Sequence, residues 1–332
     1  MSSRTRASQF LEDSVQSFQS ELQTQSRVLD IAVAGHTIRI HVSAEPLWNL
    51  IYPALANQIS TATVSNPEIE IFAVEGAGVI NFPWNTGDGF DSVGFEGPWT
   101  EEVLGTYSSD YSTLSMFDRS SSRGLFWVRS AKDLPEWEFG APLRSILTWA
   151  FLDRGLHLVH AAGVGVAGKG VMISGPGGAG KSTTTAVCLQ AGFQTTGDDY
   201  CVISPSHPPK IYSLYGMMKL VPGALGTTSM VDSRLTEPRS DGKVHFDIAS
   251  SMTTSLTITA LLFTTVGART LEPVALTSKE ALLRLIPSTW AQTAIPQKEL
   301  LHSLSKLAQS IRSFQLEVGP DTNRIPEIVR GL

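Results

Sequence analysis

Residues 175–182 read Gly-Pro-Gly-Gly-Ala-Gly-Lys-Ser, a glycine, four residues, then Gly-Lys-Ser. A run of this kind is suited to holding phosphate. Gly175, Gly177, Gly178 and Gly180, with the small Ala179 among them, let successive backbone N–H groups turn inward and let the chain come close to an anion. Lys181 brings a positive charge to the β- and γ-phosphates of a nucleotide, and the Ser182 hydroxyl suits a Mg²⁺ ion. Asp198 follows Lys181 by 17 residues and is joined directly to Asp199. A metal-bound phosphoryl donor needs an acid near the ion, and transfer to a hydroxyl needs a carboxylate to receive its proton; an Asp pair meets both needs. Neighbours on a straight strand point to opposite faces, so both reach one site only if the chain bends there. A solvated Asp-Asp turn is the plainer alternative.

The elements that must hold these groups are legible around them. Residues 156–166 (LHLVHAAGVGV) and 170–174 (GVMIS) are apolar runs separated by an Ala-Gly-Lys turn, and they read as paired strands. The second leads straight into the glycine-rich run. Residues 181–190 read as a helix, ended by Ala191-Gly192, whose positive dipole end faces the loop. Thr183 and its two following threonines are polar groups of that helix start. The acid pair precedes an apolar run at 200–203. His160 lies in the strand before the loop; alone it reads as a buried structural histidine. Lys219 reads as a phosphate contact or as a lysine at a strand end. Residues 221–241 read as a loop containing Arg234 and Arg239, with Lys243 just beyond. Such a loop beside a phosphate site can bring positive charge to a transferring phosphoryl group; a solvated loop is the alternative.

Upstream, residues 1–25 are polar and read as a frayed tail or short helix. Residues 28–42, 68–74, 114–117 and 124–128 read as strands, 47–59 as a helix, and 81–99 as glycine- and proline-rich loops. A helical run at 143–151 ends at Arg154-Gly155. Further on, 257–266 and 314–318 read as strands. Residues 278–285, 297–311 and 325–332 read as helices, the middle one amphipathic.

The chain has 332 residues, 42% hydrophobic and 17% charged, which excludes a disordered polymer or a coiled coil and suggests two domains. Its net charge of −6 speaks against a nucleic-acid surface. That charge is unevenly spread: residues 1–150 carry 9 basic and 18 acidic side chains, and the rest 16 and 13. A polyanion therefore belongs in the second half. Two cysteines, Cys188 and Cys201, make neither a disulfide framework nor a four-ligand zinc site. No signal-peptide core and no run of about 18 apolar residues is seen, so a cytoplasmic protein without membrane spans is expected.

Trp137-Glu138 with Ala141-Pro142-Leu143-Arg144, then His160-Ala161-Ala162, GKST at 180–183, GDDY at 197–200 and SLYGMMKL at 213–220 resemble the HPr kinase/phosphorylase-like bacterial serine kinases. Some members of that group tailor ribosomal (lasso) peptides. The likeness covers roughly residues 134–220. It implies an α/β fold: a phosphoenolpyruvate carboxykinase-like P-loop kinase core at 134–332, preceded by a strand-rich α+β domain at 26–133 and the polar tail 1–25. It implies an ATP- and Mg²⁺-dependent phosphotransferase acting on a serine or other hydroxyl of a peptide or protein, a lasso-peptide precursor among the candidates. By matched position, Asp198 takes the hydroxyl proton, His160 supports a catalytic acid or a phosphate, and Lys181 neutralises phosphate charge. Gly175, Gly177, Gly178, Ala179, Gly180, Lys181, Ser182, Thr183 and Lys219 bind the nucleotide, and Ser182 and Asp199 hold Mg²⁺. A homo-oligomer stays open, as do a small-metabolite kinase on the same core and a non-catalytic nucleotide-gated peptide-binding module.

Overall fold

The structure, a computed structural model, describes residues 3–76, 102–108, 110–221, 242–267, 271–290, 297–319 and 321–332. The expected loop at 81–99 and nearly all of 221–241, including Arg234 and Arg239, lie outside the described residues. The chain divides into two compact units, Met1–Arg154 and Gly155–Leu332.

The first unit contains helix α1 (Ser3–Gln25), strands β1 (Arg27–Val33) and β2 (His36–Val42), helix α2 (Glu45–Leu55), strands β3 (Ile69–Glu75), β4 (Val103–Ser108), β5 (Thr113–Asp118) and β6 (Arg123–Val128), and helix α3 (Arg144–Leu152). Its six strands form one mixed sheet in the order β1-β2-β3-β6-β5-β4. Of the two readings of the N-terminal stretch, tail or helix, the described residues show a helix over Ser3–Gln25. Ala7, Leu11 and Val15 repeat every four residues, so they share one face of α1; that face is buried against Phe72, Val74, Leu114, Met116, Leu125 and Trp127 of the sheet. The unit ends after Arg154 and not at 133, because α3 packs on β5 and β6.

The second unit runs β7 (His157–Val159), β8 (Ala161–Val166), β9 (Lys169–Ser174), α4 (Lys181–Gln190), β10 (Gln194–Gly197), β11 (Cys201–Ser204), β12 (Lys210–Tyr212), β13 (Met217–Leu220), β14 (Val244–Asp247), β15 (Ser255–Val266), β16 (Val274–Leu276), α5 (Ser278–Trp290), α6 (Gln297–Ser310), β17 (Arg312–Val318) and α7 (Ile325–Gly331). Nine strands make a mixed sheet, and β13 and β14 form a separate antiparallel ribbon. At its centre β15 pairs in parallel with β9 on one side and with β17 on the other. Apolar side chains on both faces explain this placement. Ala260 and Leu262 join the core under α4, α7 and the ribbon, while Leu261 and Phe263 join the core under α5 and α6.

His157 of β7 is buried, and its Nδ1 has no hydrogen-bond partner among the described residues. Burial pushes its imidazole down to about 4. The unfolded chain, with its ordinary value near 6.5, takes up this proton first as pH falls. The native state should therefore lose up to about 3 kcal/mol of stability between roughly pH 6.5 and pH 4. In urea titrations, His157→Leu is expected to narrow the gap between unfolding free energies at pH 7.5 and pH 4.5. An unchanged gap would count against His157 as its source.

Candidate active site

Strand β9 delivers Ser174 directly into the glycine-rich loop, and α4 begins at Lys181. The loop turns through Gly178 and Gly180, at φ +78° and +94°, a region side chains with a Cβ rarely occupy. Gly180 also faces Val318, where an added Cβ would come to 3.2 Å. The segment Pro176, Gly177 and Gly178 is exposed, and a Cβ on either glycine would meet nothing within 4 Å. This exposed stretch leads into a ten-residue helix, whose first N–H groups have no intrahelical partners. An anion is favoured there. Ala179 is buried under the loop, its N–H donating to the Pro176 carbonyl at 3.2 Å. Thr183 is half-buried on the first turn of α4.

Lys181 is 6% exposed. Its Nζ donates to the carbonyls of Gly175 at 2.9 Å and Pro176 at 3.3 Å, which pins the ammonium inside the loop. Burial lowers its proton affinity; the charges of Asp199 and Asp198 oppose that effect, and the charge of Lys243 adds to it.

The two aspartates arrive by way of a break in the sheet. One stretch of chain, β7 and β8, pairs antiparallel with another, β10 and β11, but the ladder stops between the pairs Val159–Cys201 and Gly163–Gly197. His160 lies in the gap on one side, and Asp198 and Asp199 in the gap on the other. A bulge between Thr195 and Gly197 leads into the gap, with Gly197 at φ +140°. Bulges commonly redirect side chains in this way, and here the bend meets the condition for both acids to face one site.

Asp198 is 1% exposed, and its Oδ2 accepts from the Ser182 hydroxyl at 2.7 Å. Its Oδ1 has no hydrogen-bond partner among the described residues, and the Lys219 backbone N–H favours the charged form of the carboxyl. Burial pushes this carboxyl up to about 6. The Ser182 hydrogen bond and the Lys181 charge work against the rise, and the neighbouring Asp199 charge adds to it.

Asp199 has the opposite character. Burial alone would raise it, but the His160 hydrogen bond and the charges of Lys219, His160 and Lys181 overcome that and hold it well below the usual carboxylate range. His160 Nε2 lies 3.0 Å from Asp199 Oδ1, and Lys219 Nζ lies 3.5 Å from Oδ2. The other ring nitrogen, Nδ1, faces the Ser288 carbonyl at 3.2 Å. Each ring nitrogen of His160 thus faces an oxygen that can accept a hydrogen bond.

Lys181, Ser182, Asp198, Asp199, His160 and Lys219, expected from their positions in the sequence, are thus linked by direct contacts or by charge. The Ser182 hydroxyl, expected beside Asp199 at a metal, is bonded to Asp198. Ser288, in the last turns of α5, has no forerunner in the sequence reading, which ended that helix at 285. Its hydroxyl donates to the Leu285 carbonyl at 3.0 Å, so Ser174 must be the donor in their 3.1 Å contact. Ser288 therefore ties the start of the loop and His160 to one helix end.

No family model and no curated protein matches the chain. Among solved structures it is similar to the Hpr(Ser) kinase/phosphatase from Coxiella burnetii, with 13% sequence identity and a TM-score of 0.33, over 53% of this chain and 95% of that one. A likeness of that degree decides nothing about the site, which stands on its own geometry. Among the described residues, no helix is long and apolar enough to cross a membrane.

Proposed function

We propose that the second unit is a phosphotransferase with a P-loop kinase core. It would move the γ-phosphoryl group of ATP to a serine or other hydroxyl of a peptide or protein. The observation that carries this reading is the hydrogen bond between Ser182, beside the loop lysine, and the buried Asp198. It joins a phosphate-holding loop to a carboxylate whose proton affinity is raised into the range of a working base.

The loop N–H groups and Lys181 would bind the nucleotide phosphates, with Gly177 and Gly178 leaving room for them. Ser182 and Asp199 would hold Mg²⁺, with Asp198 adjoining them. The orphaned Asp198 oxygen and this hydroxyl-carboxylate donor set suit a hard cation. Among the described residues no group of three or more His, Cys, Asp or Glu side chains is arranged so as to hold a metal ion by itself, and a Mg²⁺ shared with substrate phosphates needs no such group. When bound, the ion supplies positive charge to the phosphate oxygens. Asp198 would take the proton of the acceptor hydroxyl. His160 and Lys219 would hold Asp199 ionised and in place. Catalysis of this kind is mainly positioning and charge stabilisation.

The fate of the γ-phosphate tests the reading. With γ-labelled ATP, the label is expected on a serine when the protein is given its peptide acceptor. Label on a small molecule would move the assignment to a metabolite kinase. Binding without any turnover would leave a nucleotide-gated peptide-binding module.

A further inference from the structure

Helix α5 ends on the site. The last carbonyls of a helix have no partner within it, and they carry its partial negative charge. The carbonyl of Ser288 is one of these, and it faces His160 Nδ1 at 3.2 Å. Across the same ring, Nε2 lies 3.0 Å from Asp199 Oδ1. The Ser288 hydroxyl is engaged separately. It accepts from the Ser174 hydroxyl at 3.1 Å and donates to the Leu285 carbonyl at 3.0 Å. Ser174, His160 and Ser288 are all buried. The sheet explains the meeting. Ser174, the last residue of β9, pairs with Ala161, the first of β8, so Gly175 and His160 come next where that ladder stops. Helix α5 packs on both β7 and β9. One residue of its last turns therefore touches the start of the glycine-rich loop through its side chain and His160 through its backbone.

We propose that Ser288 is a positioning residue of the phosphotransfer site, holding the start of the glycine-rich loop and, by way of His160, the Asp199 carboxylate in one fixed arrangement. The inference rests on the phosphotransferase reading above and deepens it. In that reading the loop holds the nucleotide phosphates, and Asp199 holds the Mg²⁺ that those phosphates share. Mg²⁺ demands near-octahedral geometry, with oxygens at about 2.0–2.1 Å. Phosphate and carboxylate oxygens must then stand at a matched spacing, although loop and acid belong to different elements. Groups that orient a metal ligand from behind set much of the affinity for the ion. Lys219 restrains the other oxygen of Asp199, so the His160 side is where the orientation of the acid is tied to the loop. Serine suits this task because its hydroxyl accepts and donates at once; alanine does neither.

The test is the Mg²⁺ dependence of ATP binding by the full chain, for the wild type, Ser288→Ala, Ser174→Ala and the double variant. Leu304→Val, a change in the core shared by α5 and α6, controls for lost stability. Ser288→Ala should raise the Mg²⁺ concentration that half-maximally tightens ATP binding by about tenfold, the low end for losing a support of a metal ligand. Binding of ATP without Mg²⁺ should stay within about twofold. Ser174→Ala breaks the same hydroxyl pair from the other side and should do likewise. The double variant should be no worse than either, since one bond is lost only once. Leu304→Val should lower the urea midpoint and leave the Mg²⁺ requirement unmoved. Either serine variant decides alone if the other does not fold. An unchanged Mg²⁺ requirement, an equal shift in Leu304→Val, or a double variant that adds the two single effects would overturn the role of Ser288 while the phosphotransferase reading stands. If the wild type binds ATP no better with Mg²⁺ than without it, both fall together.

Discussion

Lys181→Ala is expected to abolish measurable phosphoryl transfer, with a loss of about a hundred- to a thousandfold at saturating nucleotide. Two effects add. The buried ammonium is the charge fixed nearest the phosphate loop, held by the Gly175 and Pro176 carbonyls, and a preorganised charge in a sheltered site costs nothing to reorient during reaction. Its removal also leaves Asp198 and Asp199 facing each other with less compensation, because the Lys181 charge lowers the proton affinity of both. A base that is protonated more of the time works less. Lys181→Met separates charge from packing, since it keeps most of the buried stem. Both variants should fold, and both should lose transfer in an assay following label from γ-phosphate to acceptor. Robust ATP-dependent transfer by either would remove Lys181 from the mechanism.

What could be read from the sequence follows from how local each determinant is. The glycine-rich loop was legible because its conformation is written in consecutive residues: glycines at the turning positions, a strand before, a helix after. The acid pair was legible as a pair but not as a geometry. Its convergence depends on a bulge at Thr195 and Gly197 and on a gap in the ladder opposite His160, and both are products of pairing between distant segments. Ser288 reaches His160 across 128 residues of sequence, and no local pattern encodes such a contact. The pairing of β13 with β14 was not legible for a related reason. The two strands are four residues each and lie on either side of a long loop-like segment, so neither carried enough alternation alone. Helix α1 had a usable signal in Ala7, Leu11 and Val15, but the polar residues between them outweighed it. The charge asymmetry survives in sharper form: cut at the observed division, residues 1–154 carry −9 and 155–332 carry +3, and the whole candidate site lies in the second.

Asp198→Asn should bind Mg·ATP nearly as well as the wild type and lose transfer by about 10²- to 10⁴-fold, the usual contribution of a positioned base. Asparagine keeps an acceptor for the Ser182 hydroxyl, so the loop should hold its shape, but it cannot take a proton. The pH dependence follows from the raised affinity of Asp198. With its value at about 6, the carboxyl is protonated below that pH and ionised above it, so wild-type transfer should rise with pH through about 6. The residual rate of the variant should lack that limb. Stability moves the other way. An acid raised from its ordinary value disfavours folding where it must ionise, and the penalty disappears at low pH. The variant should therefore be more stable than the wild type at pH 7.5, by about 2–3 kcal/mol at 1.4 kcal/mol per tenfold in proton affinity, with the gain fading toward pH 4. Asp199→Asn is the counterpart: held ionised by His160 and Lys219, this group should show its loss in Mg²⁺-dependent nucleotide binding. If instead Asp198→Asn abolishes Mg²⁺-dependent binding and Asp199→Asn spares it, the two carboxylates exchange roles. If Asp198→Asn transfers at the wild-type rate, neither its basicity nor its burial serves the reaction.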